Sequence, residues 1–331
     1  MKKEYLSVIV LIGLLVFGYF RYKNQVYNSQ KTKWILGTQV QISAKSKDQK
    51  IDTIIENTFN LMSDYENQLS YYKDESEVSK INKNEISKPS KEVQELLEIS
   101  KEMYIQSEQL FDPTIATVLD LWDFSKKEIP NLNLIETSIA EIGFDKISLQ
   151  NGKLQKPENI KLNFGAIAKG YIIDKGIEFL QENGICEGSI NAGGDIRYFS
   201  DNNSQIKIGV KHPRKSTSDL IAVLKVSDKA IVTSGDYEQF FDLDGKRYHH
   251  ILNPKTGFPV SNMISVTVLA ENTTLADALS TAVFLLGPKK GIALLKSIPN
   301  VAGMLYYKYD NEIICLKTKS IKEFLVKEYN E

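Results

Sequence analysis

A single α+β domain is the fold this sequence predicts, and three observations lead there. Helix-period and strand-period stretches mix without the strict strand–helix alternation that builds a parallel sheet. Hydrophobic residues make up 42% and charged residues 25% of the 331, ordinary globular usage with enough chain for a large core. No internal repeat divides the chain, and no Pro/Gly/Ser-rich linker does so after residue 33.

The first element is not part of that domain. Residues 5–20, YLSVIVLIGLLVFGYF, carry no charge and follow Lys2 and Lys3, the pattern of a secretory signal or an uncleaved anchor. The run is slightly short of the ~20 residues that span a bilayer, and flanking tyrosines and Arg21 can extend it. No A-x-A-like cleavage site follows and no cysteine lies nearby, so residues 1–24 are expected to be a membrane segment of the signal-anchor kind. A short tail ahead of a large domain favours export of that domain. A linker over 25–33 and a folded domain over 34–331 complete the expected organisation.

Within the domain, residues 33–44 alternate apolar and polar and predict a first strand. Ile51, Ile54, Ile55, Phe59, Met62 and Leu69 recur near helical spacing and predict an amphipathic helix over 51–69. A polar loop with Tyr71 and Tyr72 follows. Residues 90–110 predict a second helix with Ser90 as its N-cap. FDPTIATVLDLWDF reads as an Asp-Pro turn entering a short helix, residues 134–142 as another helix ended by Gly143, and 144–162 as short strands turning at Asn151-Gly152. Residues 166–182 predict a third long helix closed by Asn183-Gly184. Strands are expected at CEGSIN, 205–210, 220–226, 230–233 and 264–270, with a hairpin turning at Asp244-Gly245. A helix over 274–286 is expected to stop at Gly287-Pro288, and the chain to end in strands and a short helix.

Charge and composition exclude several functions. Lys plus Arg is 41 and Asp plus Glu is 42, a net charge of −1, which leaves no electrostatic footprint for nucleic acid. Two cysteines, Cys186 and Cys315, cannot build a disulfide framework or a four-thiolate zinc site. His212, His249 and His250 leave little room for a histidine-built metal centre.

Four constellations can carry chemistry. Asp277 and Thr281 lie four apart in TLADALSTAVFLLG, on one face of a helix. A carboxylate and a hydroxyl are hard oxygen ligands for Mg²⁺ or Ca²⁺, although an Asp in a first turn also serves the helix dipole. NFGAIAKGYIID, 163–174, is a Gly-rich approach to a helix whose free N–H groups suit a phosphate, and Lys169 there opposes the dipole unless something negative is near. Close Gly-Ala packing against a neighbour explains the same residues. NAGGD, 191–195, is a tight turn or a place of close approach. GKRYHHILNPKTGFPV, 245–260, offers a histidine as a base near neutral pH, with a structural histidine as the alternative.

Together with TSGDYEQFF and the upstream LGTQVQI and LSYYKDESEVSKIN, these motifs stand in the order found in the ApbE family, which the chain resembles over about residues 34–316. The resemblance implies a single ApbE-like, T-fold-related α+β domain with a central antiparallel sheet and flanking helices. It implies an FAD:protein FMN transferase: FAD is the substrate, Mg²⁺ sits across its diphosphate, and the FMN moiety passes to a threonine hydroxyl of an acceptor flavoprotein with release of AMP. By the same resemblance, Asp277, Thr281 and the backbone carbonyl of Ala166 hold the metal, and His250 is the base. Contacts to FAD are expected from Leu36, Tyr72, Phe111, Asp112, Asn163 and Lys169, with Gly193, Gly194 and Asp195 nearby. With the N-terminal segment, this places the enzyme on the extracytoplasmic face of a bacterial cell membrane. FAD hydrolysis to FMN and AMP, or flavin binding without catalysis, are the alternatives. The chain departs from the family at Leu36 (usually Met), Asn163 (commonly Asp) and Asn253 (commonly Asp before Pro254); Asn keeps hydrogen bonding but loses charge.

Overall fold

The structure is a computed structural model and describes residues 5, 10–15, 17, 25–215, 219–310 and 312–329. The chain runs β1 (Tyr27–Ile35), β2 (Thr38–Ser46), α1 (Ile51–Leu69), α2 (Glu77–Asn82) and α3 (Lys91–Gln106). A 3₁₀ turn, Pro113–Ile115, then leads into α4 (Ala116–Leu119), α5 (Leu132–Glu141), β3 (Ser148–Gln150), β4 (Lys153–Gln155) and α6 (Ala168–Glu182). Next come β5 (Glu187–Ala192), β6 (Asp195–Ser200), β7 (Ile206–Lys211), β8 (Leu220–Val226), β9 (Lys229–Gly235), β10 (Phe240–Leu243) and β11 (Lys246–His249). The last elements are β12 (Met263–Ala270), α7 (Thr273–Ser297), β13 (Ala302–Tyr309), β14 (Glu312–Lys317) and β15 (Leu325–Glu328).

An eight-stranded antiparallel sheet, in the order β1-β2-β5-β6-β9-β12-β13-β14, forms the centre. Side chains alternate across it. Val232, Val266 and Val268 point into the core shared with α1, α3, α6 and α7, while Ile231, Ile264 and Leu269 point to a second core under the small sheet β15-β8-β7. Strand β12 is therefore buried along its whole length, its polar residues Ser265 and Thr267 included. A third cluster, Trp122, Ile135, Phe241, Tyr248 and Leu252 among its members, packs the β10–β11 hairpin on the α4–α5 segment.

Most predicted elements are present, and the departures have physical causes. The expected strand over 33–44 is two strands, because Leu36 (φ 57°) and Gly37 (φ 66°) turn the chain back. The stretch 25–33, expected as a linker, supplies β1 from Tyr27 onward, so the folded domain begins earlier. The tyrosine loop contains α2, capped by Ser76. Gly287 (φ 76°) does break α7, but Pro288 starts a second helical stretch at once, because proline is accommodated in a first turn. The expected C-terminal helix is a 3₁₀ turn, Ser320–Glu323, followed by β15. Helix α3 begins as expected, with Ser90 Oγ accepting from Val93 N at 3.3 Å.

Two features place the site. Helices α6 and α7 cross at Gly170, where a Cβ would stand 2.4 Å from the Thr273 carbonyl oxygen and 2.8 Å from Asp277 Cβ. Asp174 of α6 then accepts from Thr273 N (2.8 Å), Thr274 N (2.7 Å) and Thr274 Oγ1 (2.6 Å), fixing the start of α7 against α6.

Candidate active site

A cleft opens between the main core and the third cluster. Its walls come from the α3–α4 connection (Phe111, Asp112, Pro113), the approach to α6 (Asn163 to Lys169), the start of β6 (Asp195), the end of β9 (Thr233, Ser234), the segment before β10 (Glu238, Gln239), residues 250–252 and α7. Asp277, Thr281 and Leu285 follow one another at four-residue spacing along α7 and all face this cleft.

Ten of the thirteen residues expected at the site line the cleft: Tyr72, Phe111, Asp112, Asn163, Ala166, Lys169, Asp195, His250, Asp277 and Thr281. Leu36, Gly193 and Gly194 do not. Leu36 occupies the β1–β2 turn and packs on the main core, and Gly193 (φ 66°) lets the β5–β6 turn pass within contact of Thr38. Asp112 has a structural task as well: Oδ1 accepts from Thr114 N (2.8 Å) and Thr114 Oγ1 (2.6 Å), and Oδ2 from Phe144 N (3.2 Å). Asn163 Oδ1 accepts from Gly165 N at 2.8 Å, which shapes the approach to α6. Asn253 stands in a turn, with Oδ1 accepting from Lys255 N at 2.8 Å. Glu238, Ser234 and Gln239 also face the cleft; they belong to motifs quoted above, but nothing in their spacing singled them out.

The electrostatics centre on Lys169. Its Nζ lies 2.8 Å from Asp195 Oδ2, and the anion that its place in a first turn called for is thus a protein carboxylate. Burial pulls the ammonium down, but Asp195, with Asp277 and Glu238 behind it, outweighs that and holds it well above the ordinary lysine range. Three carboxylates therefore crowd one ammonium. Burial first, and Asp195 next, push the Asp277 carboxyl well up, although Gly170 N donates to its Oδ2 at 2.9 Å. Burial, helped by Asp195 and opposed by Lys169, pushes Glu238 up to about 6.

The neighbouring histidines differ. His249 is 2% exposed, with Nε2 2.9 Å from the Val260 carbonyl and Nδ1 accepting from Ile251 N at 3.3 Å. His250 faces the cleft, and its buried Nδ1 has no hydrogen-bond partner. Burial lowers its pKa to about 4, so the ring is neutral at physiological pH and able to take a proton.

The donors present suit a hard divalent cation. Asp277 and Thr281 supply a carboxylate and a hydroxyl, with Thr281 Oγ1 also 3.3 Å from Ser234 Oγ. In a continued helix the Gly170 N–H would serve the carbonyl of Ala166; here it serves Asp277. The excess of carboxylates around Lys169 is the charge imbalance that a cation relieves. Among the described residues no trio of His, Cys, Asp or Glu side chains is arranged as a complete metal cage.

The mixed α+β domain thus brings a buried histidine, a lysine and an oxygen-donor pair to one cleft, the furnishing of an enzyme site, and comparison with known proteins gives its class. A model of the ApbE family matches residues 36–305, and the chain belongs to that family. A Treponema pallidum protein named FAD:protein FMN transferase is 28% identical over 309 residues, covering 86% of this chain and 85% of its own length. One of the same name from Klebsiella pneumoniae is 30% identical over 295 residues, covering 86% and 90%. Among solved structures, the ApbE protein of Thermotoga maritima superposes with a TM-score of 0.81 at 30% identity, covering 91% of this chain and all (100%) of that one. The flavin transferase ApbE of Vibrio cholerae gives 0.80 at 25% identity, covering 91% and 100%. The protein is a transferase of this family.

Proposed function

We propose that this protein takes FAD as substrate and transfers its FMN moiety to a threonine hydroxyl of an acceptor flavoprotein, releasing AMP. The observation that carries the reading is the meeting of His250, Lys169, Asp277 and Thr281 in one cleft. The names of the curated relatives support it.

A threonine hydroxyl is a poor nucleophile at neutral pH, so it needs a base within hydrogen-bond reach. His250, kept neutral by burial, takes the hydroxyl proton as the threonine oxygen bonds to the FMN phosphorus. The bond from that phosphorus to the bridging oxygen breaks, and AMP leaves with the electron pair. Lys169, in the first turn of α6, offers its ammonium to the diphosphate, and the adjoining backbone N–H groups favour the same anion. Asp195 orients that ammonium. Asp277, Thr281 and the Ala166 carbonyl would hold Mg²⁺, which supplies charge neutralisation at the diphosphate when bound.

The N-terminal segment is proposed as a membrane anchor that holds the domain at the extracytoplasmic face. Residues 10–15 are helical, and Val10, Leu11, Ile12, Leu14 and Leu15 are each more than half exposed, an apolar surface that a bilayer would cover. Helix α7 is also long and apolar enough to span, but it packs in the core of the domain. Retention of the full-length chain in membranes after alkaline carbonate washing, and its protease accessibility from outside intact cells, test the anchor.

The central test is incubation of the purified protein with FAD, Mg²⁺ and a candidate acceptor flavoprotein. Flavin fluorescence should persist on the acceptor in a denaturing gel, with one AMP released per flavin attached. Release of free FMN without an acceptor would show a hydrolase instead.

A further inference from the structure

We propose that His249 is a positioning residue that holds His250 in place for proton transfer. The inference rests on His250 being the base, as proposed above.

A base in an active site is commonly oriented by a third group that holds its far nitrogen. His250 lacks this support, for its buried Nδ1 has no hydrogen-bond partner. Its orientation must come through the backbone. One tie is its own N–H, which donates to the Gln239 carbonyl at 3.1 Å. The other is the ring of the preceding residue.

His249 spans position 250. Its Nδ1 accepts from the N–H of Ile251, the residue just after His250, and its Nε2 lies 2.9 Å from the Val260 carbonyl across the loop. A carbonyl only accepts and a backbone N–H only donates, so the two partners together fix one state: neutral, with the proton on Nε2. The same loop is closed by Val260 N to the Ile251 carbonyl (3.2 Å), by the Leu252–Pro259 bridge and by Asn253 N to the Phe258 carbonyl (2.8 Å). On its outer side the His249 ring stands edge-on to Phe284 of α7, with centroids 5.5 Å apart and planes at 81°. Phe284 is fully buried, at 0% exposure, so α7 is a rigid backstop for the ring. The helix that carries Asp277 and Thr281 thus also registers the base, through Phe284 and His249. Holding His249 neutral keeps a second positive charge away from His250, whose pKa a charged neighbour would lower further.

Three substitutions separate the parts of this clamp. His249→Phe keeps an aromatic ring against Phe284 and loses both hydrogen bonds. His249→Gln places a donor where Nε2 stood, and His249→Asn an acceptor where Nδ1 stood. In the transfer assay with the full chain, FAD, Mg²⁺ and acceptor, His249→Phe should lower kcat by between ~10- and ~100-fold, the cost of a misplaced catalytic group, with KM for FAD unchanged. Gln and Asn should each recover part of that loss. If His249→Phe does not fold, the Gln and Asn variants decide: a fall in kcat in either supports the clamp. Wild-type kcat in all folded variants overturns it, and so does an equal rise in KM with kcat kept. ¹⁵N NMR of the imidazoles gives a readout apart from activity, in which His249 should be the neutral Nε2–H tautomer; a charged ring or the other tautomer at neutral pH overturns the proposal. His250→Ala in the same assay separates the two claims. Retained transfer there sinks the base and the clamp together, whereas lost transfer beside a fully active His249→Phe sinks only the clamp.

Discussion

The starts of α6 and α7 lie against each other and are built in opposite ways. The start of α7 is saturated: Asn272 Oδ1 accepts from Leu275 N at 2.8 Å, and Asp174 takes the N–H groups of Thr273 and Thr274. The start of α6 has no side-chain cap, and it carries a cation, Lys169, where the dipole favours an anion. One end is finished by the protein itself. The other has no side-chain cap, and its cation is met locally by Asp195.

That contrast predicts opposite outcomes for carboxylates on the two helices. Asp277→Ala should be the most damaging to function, removing Mg²⁺ binding and transfer together. It should leave the melting temperature unchanged or higher, because a crowded buried carboxylate has gone; calorimetry with and without Mg²⁺ checks both halves. His250→Ala should slow transfer by ~10²–10⁴-fold while FAD affinity, read by equilibrium titration, stays near wild type. Asp174→Ala should do the reverse of Asp277→Ala, costing ~2 kcal/mol of stability, measured by denaturant unfolding, since it uncaps two N–H groups at once. Asn272→Ala should cost ~1 kcal/mol by the same measurement, with little effect on transfer.

A pH titration sharpens the picture at the base. Burial disfavours the His250 cation, so in the folded protein the ring should protonate near pH 4 instead of 6.5. Between these values the unfolded chain binds the proton and the folded one does not, so acidification through that window removes stability. Above it, the proton-accepting form is fully present. NMR titration of the imidazole gives the midpoint directly, and a midpoint near 6.5 would mean that the ring is solvated.

Much of this was legible in residues alone, and the failures are instructive. Helix α1 was readable because its apolar residues keep one stripe, and two hairpin turns because Asn151-Gly152 and Asp244-Gly245 both adopt positive φ. Strand β1 was not, because YNSQKTKWI is an edge strand with half-buried side chains on one face and exposed ones on the other. Its turn uses Leu36 in a left-handed conformation, which no composition rule flags. At the site, spacing put Asp277 and Thr281 on one face of a helix without deciding between a metal and the helix dipole; the ordered motifs carried the family, and both residues line the cleft. Glu238 and Ser234 escaped because their role depends on where β9 ends relative to α7, a tertiary fact. Asp174 escaped because capping a distant helix leaves no periodic trace.

Gly170 sets the working distance of the cleft by what it lacks. Because the main chain of α6 meets that of α7 at this crossing, the spacing between the two helices there is gauged by a hydrogen atom. A single methyl at 170 has nowhere to go but into the Thr273 carbonyl.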